Sequence, residues 1–477
     1  VAVNKKFYLA MAVPNLVKNP KITAKLLAPI LEMDEQIIFE RLAKKDDIYE
    51  PLKHKVDEAK KVEIETLALA GIQFEEELFR YYPESESLSQ VLGFVGYQDD
   101  ELAGRYGVEA YWEKELAGEK GSFVFERDAL GRLIPLAKRL KAESQNGADL
   151  VLTLDRSVQF AACGALKESV EKYGAADGSV IVLDPKTGAI LAMCNWPSYD
   201  ANNYQNVENY NLYNNPAVSD PYEPGSMIKG ITLAAALDLD KVTPETTYED
   251  TGSVEISGYT IKNSDGKAHG WRTMTQVLEE SLNTGAIFVA RSIGAKMLYQ
   301  YFKRFGFGEK IVIGVSNEKK GNISALENGR EISLATASFG QGFTVTPLEI
   351  VAAFAAVANN GKLMKPYLVE EVRYASGKIL KTEPQFVRQV ISEKTAVTLS
   401  AMLGSVVKFG HAKGAAIPGY FIAGKTGTAE IADPEHKGYY TDRNIHSFVG
   451  FAPLENPRFV MLTKLTQTKG VAFAEST

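Results

Sequence analysis

The 477-residue chain predicts an α/β (α+β) protein of at least two domains, on three observations. The length exceeds what one compact core supports. The composition, 45% hydrophobic and 24% charged, is that of an ordinary globular protein. Around residues 145–155 a charge-rich first part gives way to alternating strand and helix patterns, with Asn146-Gly147-Ala148-Asp149 as the break. Residues 1–148 are expected to form a non-catalytic module, and residues 149–477 a larger α/β domain.

In the first module, residues 22–45 carry helical patterning, with Leu26, Leu27, Ile30 and Leu31, then Ile37, Ile38, Phe39 and Leu42. Residues 55–69 read as a second amphipathic helix, and 74–83 as an extended arm ending at Pro83. A hairpin is expected from 122–127 and 132–135, with its turn near Ala129-Leu130-Gly131. No cluster of titratable residues here suggests catalysis.

The larger domain opens with a strand at 150–154 and a helix capped by Asp155 that runs through Phe160 and Leu166. Two strands, 178–183 and 189–194, are joined by the turn Asp184-Pro185-Lys186-Thr187-Gly188. Later helical runs cover 274–282, 284–293, 348–358 and 395–407.

Net charge of −7 and a pI near 5.6 argue against a nucleic-acid binder. The histidines (His54, His269, His411, His436, His446) are scattered without metal-ligand spacing, so no metal and no cofactor is expected. Cys163 and Cys194 lie in apolar settings, and each is expected to be a buried core residue. No run of 18 apolar residues occurs.

The chemistry is expected at Tyr222-Glu223-Pro224-Gly225-Ser226-Met227-Ile228-Lys229. Loop formers precede Ser226, and an Ala/Leu-rich helix former follows with no breaker until Asp240. Ser226 therefore starts a buried helix, with Lys229 one turn on along the same face. A hydroxyl needs an adjacent base to become a nucleophile, and a buried lysine with a lowered pKa can serve. Ser-x-x-Lys alone is uninformative, since Ser169/Lys172, Ser264/Lys267, Ser316/Lys319 and Ser405/Lys408 also have it; its context singles out Ser226.

Two further patterns follow. Ser281-Leu282-Asn283 places a hydroxyl and an amide between two helical runs, where the bland alternative is a helix cap. Lys425-Thr426-Gly427-Thr428, entered from a strand at 420–422, sets a cation and hydroxyls on a strand edge suited to a carboxylate. Ser144-Gln145-Asn146 and Lys186-Thr187-Gly188 show how cheaply each arises alone. In this order within one α/β domain, the three form the penicillin-recognising serine set.

On these motifs the chain resembles the class B penicillin-binding proteins, monofunctional peptidoglycan D,D-transpeptidases. The resemblance extends to Arg80-Tyr81-Tyr82-Pro83, Gly107-Val108-Glu109, Leu152-Thr153-Leu154-Asp155, the 184–193 segment, Ser338-Phe339-Gly340-Gln341-Gly342 and Ser447-Phe448-Val449-Gly450. Tyr222-Glu223-Pro224-Gly225 is closer to the cell-division and sporulation branch than to the elongation branch.

The resemblance implies an antiparallel sheet flanked by helices, with an all-helical lobe, behind an elongated pedestal or dimerisation-like module. It implies Ser226 as nucleophile, Lys229 as its base, Ser281 as proton relay and Asn283 as holder of the donor peptide. Lys425 supports the proton network, while Thr426, Gly427 and Thr428 form the carboxylate-binding strand, with an oxyanion hole at the backbone of Ser226 and Thr428. The implied partners are peptidoglycan stem peptides, lipid-linked precursor strands, β-lactams, and glycosyltransferase and divisome or elongasome membrane proteins. The expected location is the extracytoplasmic (periplasmic) face of the bacterial membrane, anchored by a helix preceding Val1. A closing strand and helix are expected beyond Thr477. A D,D-carboxypeptidase or β-lactamase, which would use water, and a penicillin-sensing scaffold are the alternatives.

Overall fold

The computed structural model describes all residues except 45–46, 99–100, 120–121, 125–138, 143–144, 433–437, 472 and 475–477. The expected turn at Ala129-Leu130-Gly131 and most of the hairpin around it lie outside the described residues. The chain divides into two compact units, Val1–Ser85 and Glu86–Thr477.

The first unit is a three-stranded antiparallel sheet, ordered Glu50–Val56, Val3–Ala12, Ile72–Tyr81. The expected extended arm is a paired strand as far as Tyr81, in register with Val3–Ala12. The helical pattern at 22–45 resolves into two helices, Pro20–Leu31 and Glu35–Leu42. Glu32 turns left-handed (φ 51°) and Asp34 caps the second helix through Gln36 N and Ile37 N. Apolar periodicity continues across that break, which is why it was invisible to pattern alone. The helix expected at 55–69 is shorter, Glu58–Thr66, because Lys55 and Val56 finish a strand and Asp57 caps the helix.

The second unit is built on a five-stranded antiparallel sheet, ordered Ile190–Trp196, Asp177–Leu183, Phe459–Thr466, Tyr439–Ala452, Ala423–Ala432. Period-two burial splits its faces. Val180, Val182, Ala192 and Leu465 pack with Leu166 and Val170 of helix Arg156–Lys172. Ile181, Leu183, Met193, Val449 and Leu462 join the main core with helices Ile228–Asp238, Pro347–Ala358 and Glu393–Phe409.

Cys163 and Cys194 correct the sequence expectation: they form a disulfide across the first of these faces, with Cα atoms 5.5 Å apart. Thirty-one residues separate them in the chain, and only the packing of the helix on the edge strand brings them together.

Candidate active site

The segment around Ser226 is a tight turn before a buried helix. Gly225–Met227 forms one 3-10 turn, and Ile228–Asp238 continues as an α-helix whose first ten residues are buried. Gly225 has φ 56°, and a Cβ there would stand 2.6 Å from Thr428 O, so only glycine fits. Gly427 presses on the same turn from the strand: a Cβ would meet Ser447 Oγ at 2.7 Å and Met227 Cγ at 2.9 Å. Gly340 closes the third side, its carbonyl accepting from Gly225 N at 3.0 Å. Ser226 is thereby fixed against the strand that carries Lys425 to Thr428.

Ser281 sits in the break between helices Met274–Glu279 and Asn283–Ile293, with φ 54° and 7% exposure. The sequence pattern put one helix through 282; the left-handed residue ends it earlier, and a non-glycine held there points to a functional constraint. Lys229 Nζ donates to Ser281 O and, at 3.2 Å, to Ser281 Oγ. Lys425 Nζ donates to the same Oγ at 3.0 Å, and to Thr426 O and Oγ1 at 3.2 and 3.4 Å. Both lysines are fully buried. Burial, and secondarily the Lys425 charge, hold the Lys229 amine well below its ordinary pKa. A neutral amine one helical turn from Ser226 can accept a proton, and Ser281 can pass one between the two lysines.

A cleft of about 570 Å³ opens over this cluster, lined by Ser226, Ser281, Asn283, Thr426 and Thr428. Asn283 donates Nδ2 to Lys262 O at 2.9 Å. Thr428 Oγ1 accepts from Ala474 N at 3.0 Å. The three sequence motifs thus converge on one groove. Lys229 and Lys425 meet at Ser281 beneath it rather than lining it.

Sequence reasoning did not single out the cleft residues Thr260, Ile261, Asp265, Phe473 and Glu430. Glu430 lies two residues beyond Thr428 on the same strand, so period two was the available signal. The strand itself begins at Ala423, not at 420–422 as expected, and Tyr420 and Phe421 are exposed.

Residues 178–477 match the family described as "Penicillin binding protein transpeptidase domain", and residues 1–152 match "Penicillin-binding Protein dimerisation domain". The chain belongs to the class B penicillin-binding proteins. It is 36% identical to Stage V sporulation protein D of Bacillus subtilis, over 98% of this chain and 73% of that protein. It is 33% identical to a probable peptidoglycan D,D-transpeptidase of Pseudomonas aeruginosa, over 86% of this chain and 70% of the relative. It is 32% identical to the penicillin-binding protein PbpB of Mycolicibacterium smegmatis, of which it spans 60%. Among solved structures, penicillin-binding protein 3 of Mycobacterium tuberculosis complexed with ampicillin superposes with TM-score 0.74 at 29% identity, over 83% of this chain and 84% of that one. Penicillin-binding protein 2X of Streptococcus thermophilus shares the fold with TM-score 0.83, over 99% of this chain and 75% of its own.

Proposed function

We propose that Ser226 is the nucleophile of this peptidoglycan D,D-transpeptidase and that Lys229 is its base. The observation supporting this is the pair of buried lysine side chains sharing one hydroxyl, Ser281 Oγ, beneath the cleft that Ser226 lines. Burial, and then the Lys425 charge, favour a neutral Lys229, which takes the Ser226 proton as Oγ attacks the carbonyl between two D-alanines. The oxyanion forms against the backbone N–H groups of Ser226 and Thr428, donors fixed before the substrate arrives. Ser281 relays the proton to the leaving amine, which departs as D-alanine. Asn283 holds the donor peptide amide. The Lys425-Thr426-Gly427-Thr428 strand takes the terminal carboxylate through the Thr426 and Thr428 hydroxyls. An amine from a second stem peptide then attacks the acyl-enzyme and frees Ser226, completing the cross-link.

β-Lactams carry a strained amide and a carboxylate in matching positions and acylate the same serine. Residues 1–148 serve as a non-catalytic module, and the transpeptidase domain spans 149–477. Lipid-linked precursor strands and glycosyltransferase or division-complex membrane proteins are the expected partners, at the extracytoplasmic face of the membrane. The Cys163–Cys194 disulfide supports an oxidising compartment. Among the described residues no helix is long and apolar enough to cross a membrane.

Mass spectrometry after incubation with benzylpenicillin tests this. One penicilloyl adduct on the peptide containing Ser226, long-lived and absent from Ser226→Ala, is expected. An adduct elsewhere refutes the nucleophile, and release within seconds favours a hydrolase.

A further inference from the structure

A row of polar residues crosses the inner face of the five-stranded sheet. Gly427, Ser447, Lys464, Ser179 and Asn195 are successive cross-strand partners, from the cleft strand to the opposite edge. Directly paired residues share a face, so this row crosses a surface whose next row is apolar apart from Lys425. At the cleft end Ser447 Oγ donates to Gly427 O at 3.2 Å. In the middle Lys464, 1% exposed, pairs with Asp220 Oδ2 at 3.1 Å. At the far end Asn195, 4% exposed, donates Nδ2 to Asn215 Oδ1 at 2.9 Å, while among the described residues its own Oδ1 has no partner. A buried amide oxygen left without a donor is destabilising.

Asn195 lines a second cavity of about 610 Å³, separate from the catalytic cleft and within the size range of small-molecule sites. Its wall is unusually rich in carboxamides: Gln90, Asn195, Asn209, Asn211, Asn214 and Asn317. Carboxamides both donate and accept, the pairing a chain of hydroxyls and acetamido groups requires. Tyr210, 70% exposed, stands between the lining residues Asn209 and Asn211. The carboxylates present are already engaged. Glu318 accepts from the backbone of Val312 and Ile313, Asp220 from Lys464, and Asp177 from Thr466. Lys319 also lines the wall, so charges of both signs are present and the six carboxamides are the most numerous polar groups.

We propose that this cavity binds a neutral segment of N-acetylated hexosamines, the sugar part of a glycan strand. The cavity and its amides support this independently of the assignment of Ser226. Asp220 and Lys464 connect its rim to the segment that leads through Tyr222 to the nucleophile turn, the Lys464 ammonium lying 5.0 Å from the Tyr222 ring centre.

The test is calorimetric titration of the whole chain with chitotetraose, a tetramer of N-acetylglucosamine. Saturable binding is expected, weakened roughly tenfold in the double variant Asn209→Ser, Asn211→Ala, the loss expected from one or two hydrogen bonds. The serine retains the helix-capping oxygen that Asn209 provides to Asn211 N. Acylation by benzylpenicillin, followed in parallel, should be unchanged in the variant and reports its folding. No binding by the wild-type chain, unchanged affinity in the variant, or equal binding of a glucose tetramer would overturn the proposal. Failure of acylation in the wild-type chain would instead count against the Ser226 assignment.

Discussion

Replacing Lys425 by methionine should move the acid limb of β-lactam acylation to higher pH. Lys229 and Lys425 each lie within 3.2 Å of Ser281 Oγ, so their ammonium nitrogens are no more than roughly 6 Å apart. At an effective dielectric near 20, two unit charges at that distance repel by roughly 3 kcal/mol. Burial is the larger cause of the lowered Lys229 pKa, and the Lys425 charge is the second. Methionine keeps the volume and apolar stem but removes that second cause. Lys229 then holds its proton to higher pH, and the fraction of enzyme with a free base falls at and below neutrality. The assay is the second-order acylation rate with a chromogenic β-lactam, measured from pH 5 to 10 in both proteins. The plateau should also fall, because Lys425 supports the carboxylate-binding strand, so the informative quantity is the inflection. An inflection that stays in place, or shifts to lower pH, would show that Lys229 is not the group whose deprotonation starts the reaction.

Three further outcomes are expected. Gly225→Ala forces a left-handed alanine whose Cβ meets Thr428 O at 2.6 Å; it should cost about 1–3 kcal/mol and slow acylation, read by thermal melts and penicillin labelling. Reducing the Cys163–Cys194 disulfide, or replacing both residues by serine, should lower stability by about 3–4 kcal/mol from the 31-residue separation it spans; equal melting temperatures with and without reductant would refute that. Asp250 is 1% exposed; burial alone would raise its pKa. Donation from Thr284, Gly252, Asn263 and His269 outweighs that and holds the carboxyl below its ordinary value. Its contribution is complete above the unfolded value near 4 and is lost as pH falls through the lower folded value. Asp250→Asn should therefore melt lower at pH 7, with the deficit narrowing below pH 4.

Much of the candidate site was legible because its residues sit at breaks in pattern, and breaks leave a signature. Pro224-Gly225 before an apolar run placed Ser226 at a helix start, and the structure adds only that the first turn is 3-10. The strand carrying Lys425 to Thr428 was read from an entry at 420–422, and the strand is there but begins only at Ala423. What stayed hidden depends on tertiary contact. Nothing in the apolar surroundings of Cys163 and Cys194 distinguishes two packed thiols from a bonded pair. The helix break at Ser281 is likewise unreadable, because a left-handed serine is imposed by its neighbours rather than by its own preference. Glu32 divides the 22–45 pattern for the same reason.

The position of Ser281 also explains why the two lysines are buried instead of reaching into the cleft. A lysine at the surface keeps its proton and cannot act as a base near neutral pH. Desolvation lowers that affinity but leaves a donor that needs an acceptor, and the Ser281 carbonyl supplies one to Lys229. The left-handed backbone at 281 belongs to the same residue whose carbonyl and hydroxyl both reach Lys229, while the hydroxyl also accepts from Lys425. A residue in the ordinary helical region would continue the 274–279 helix, and its carbonyl would be drawn into the helical ladder. On the role proposed for Lys229, the strain at Ser281 and the lowered pKa of Lys229 are two consequences of one requirement: a base dry enough to be neutral and still hydrogen-bonded.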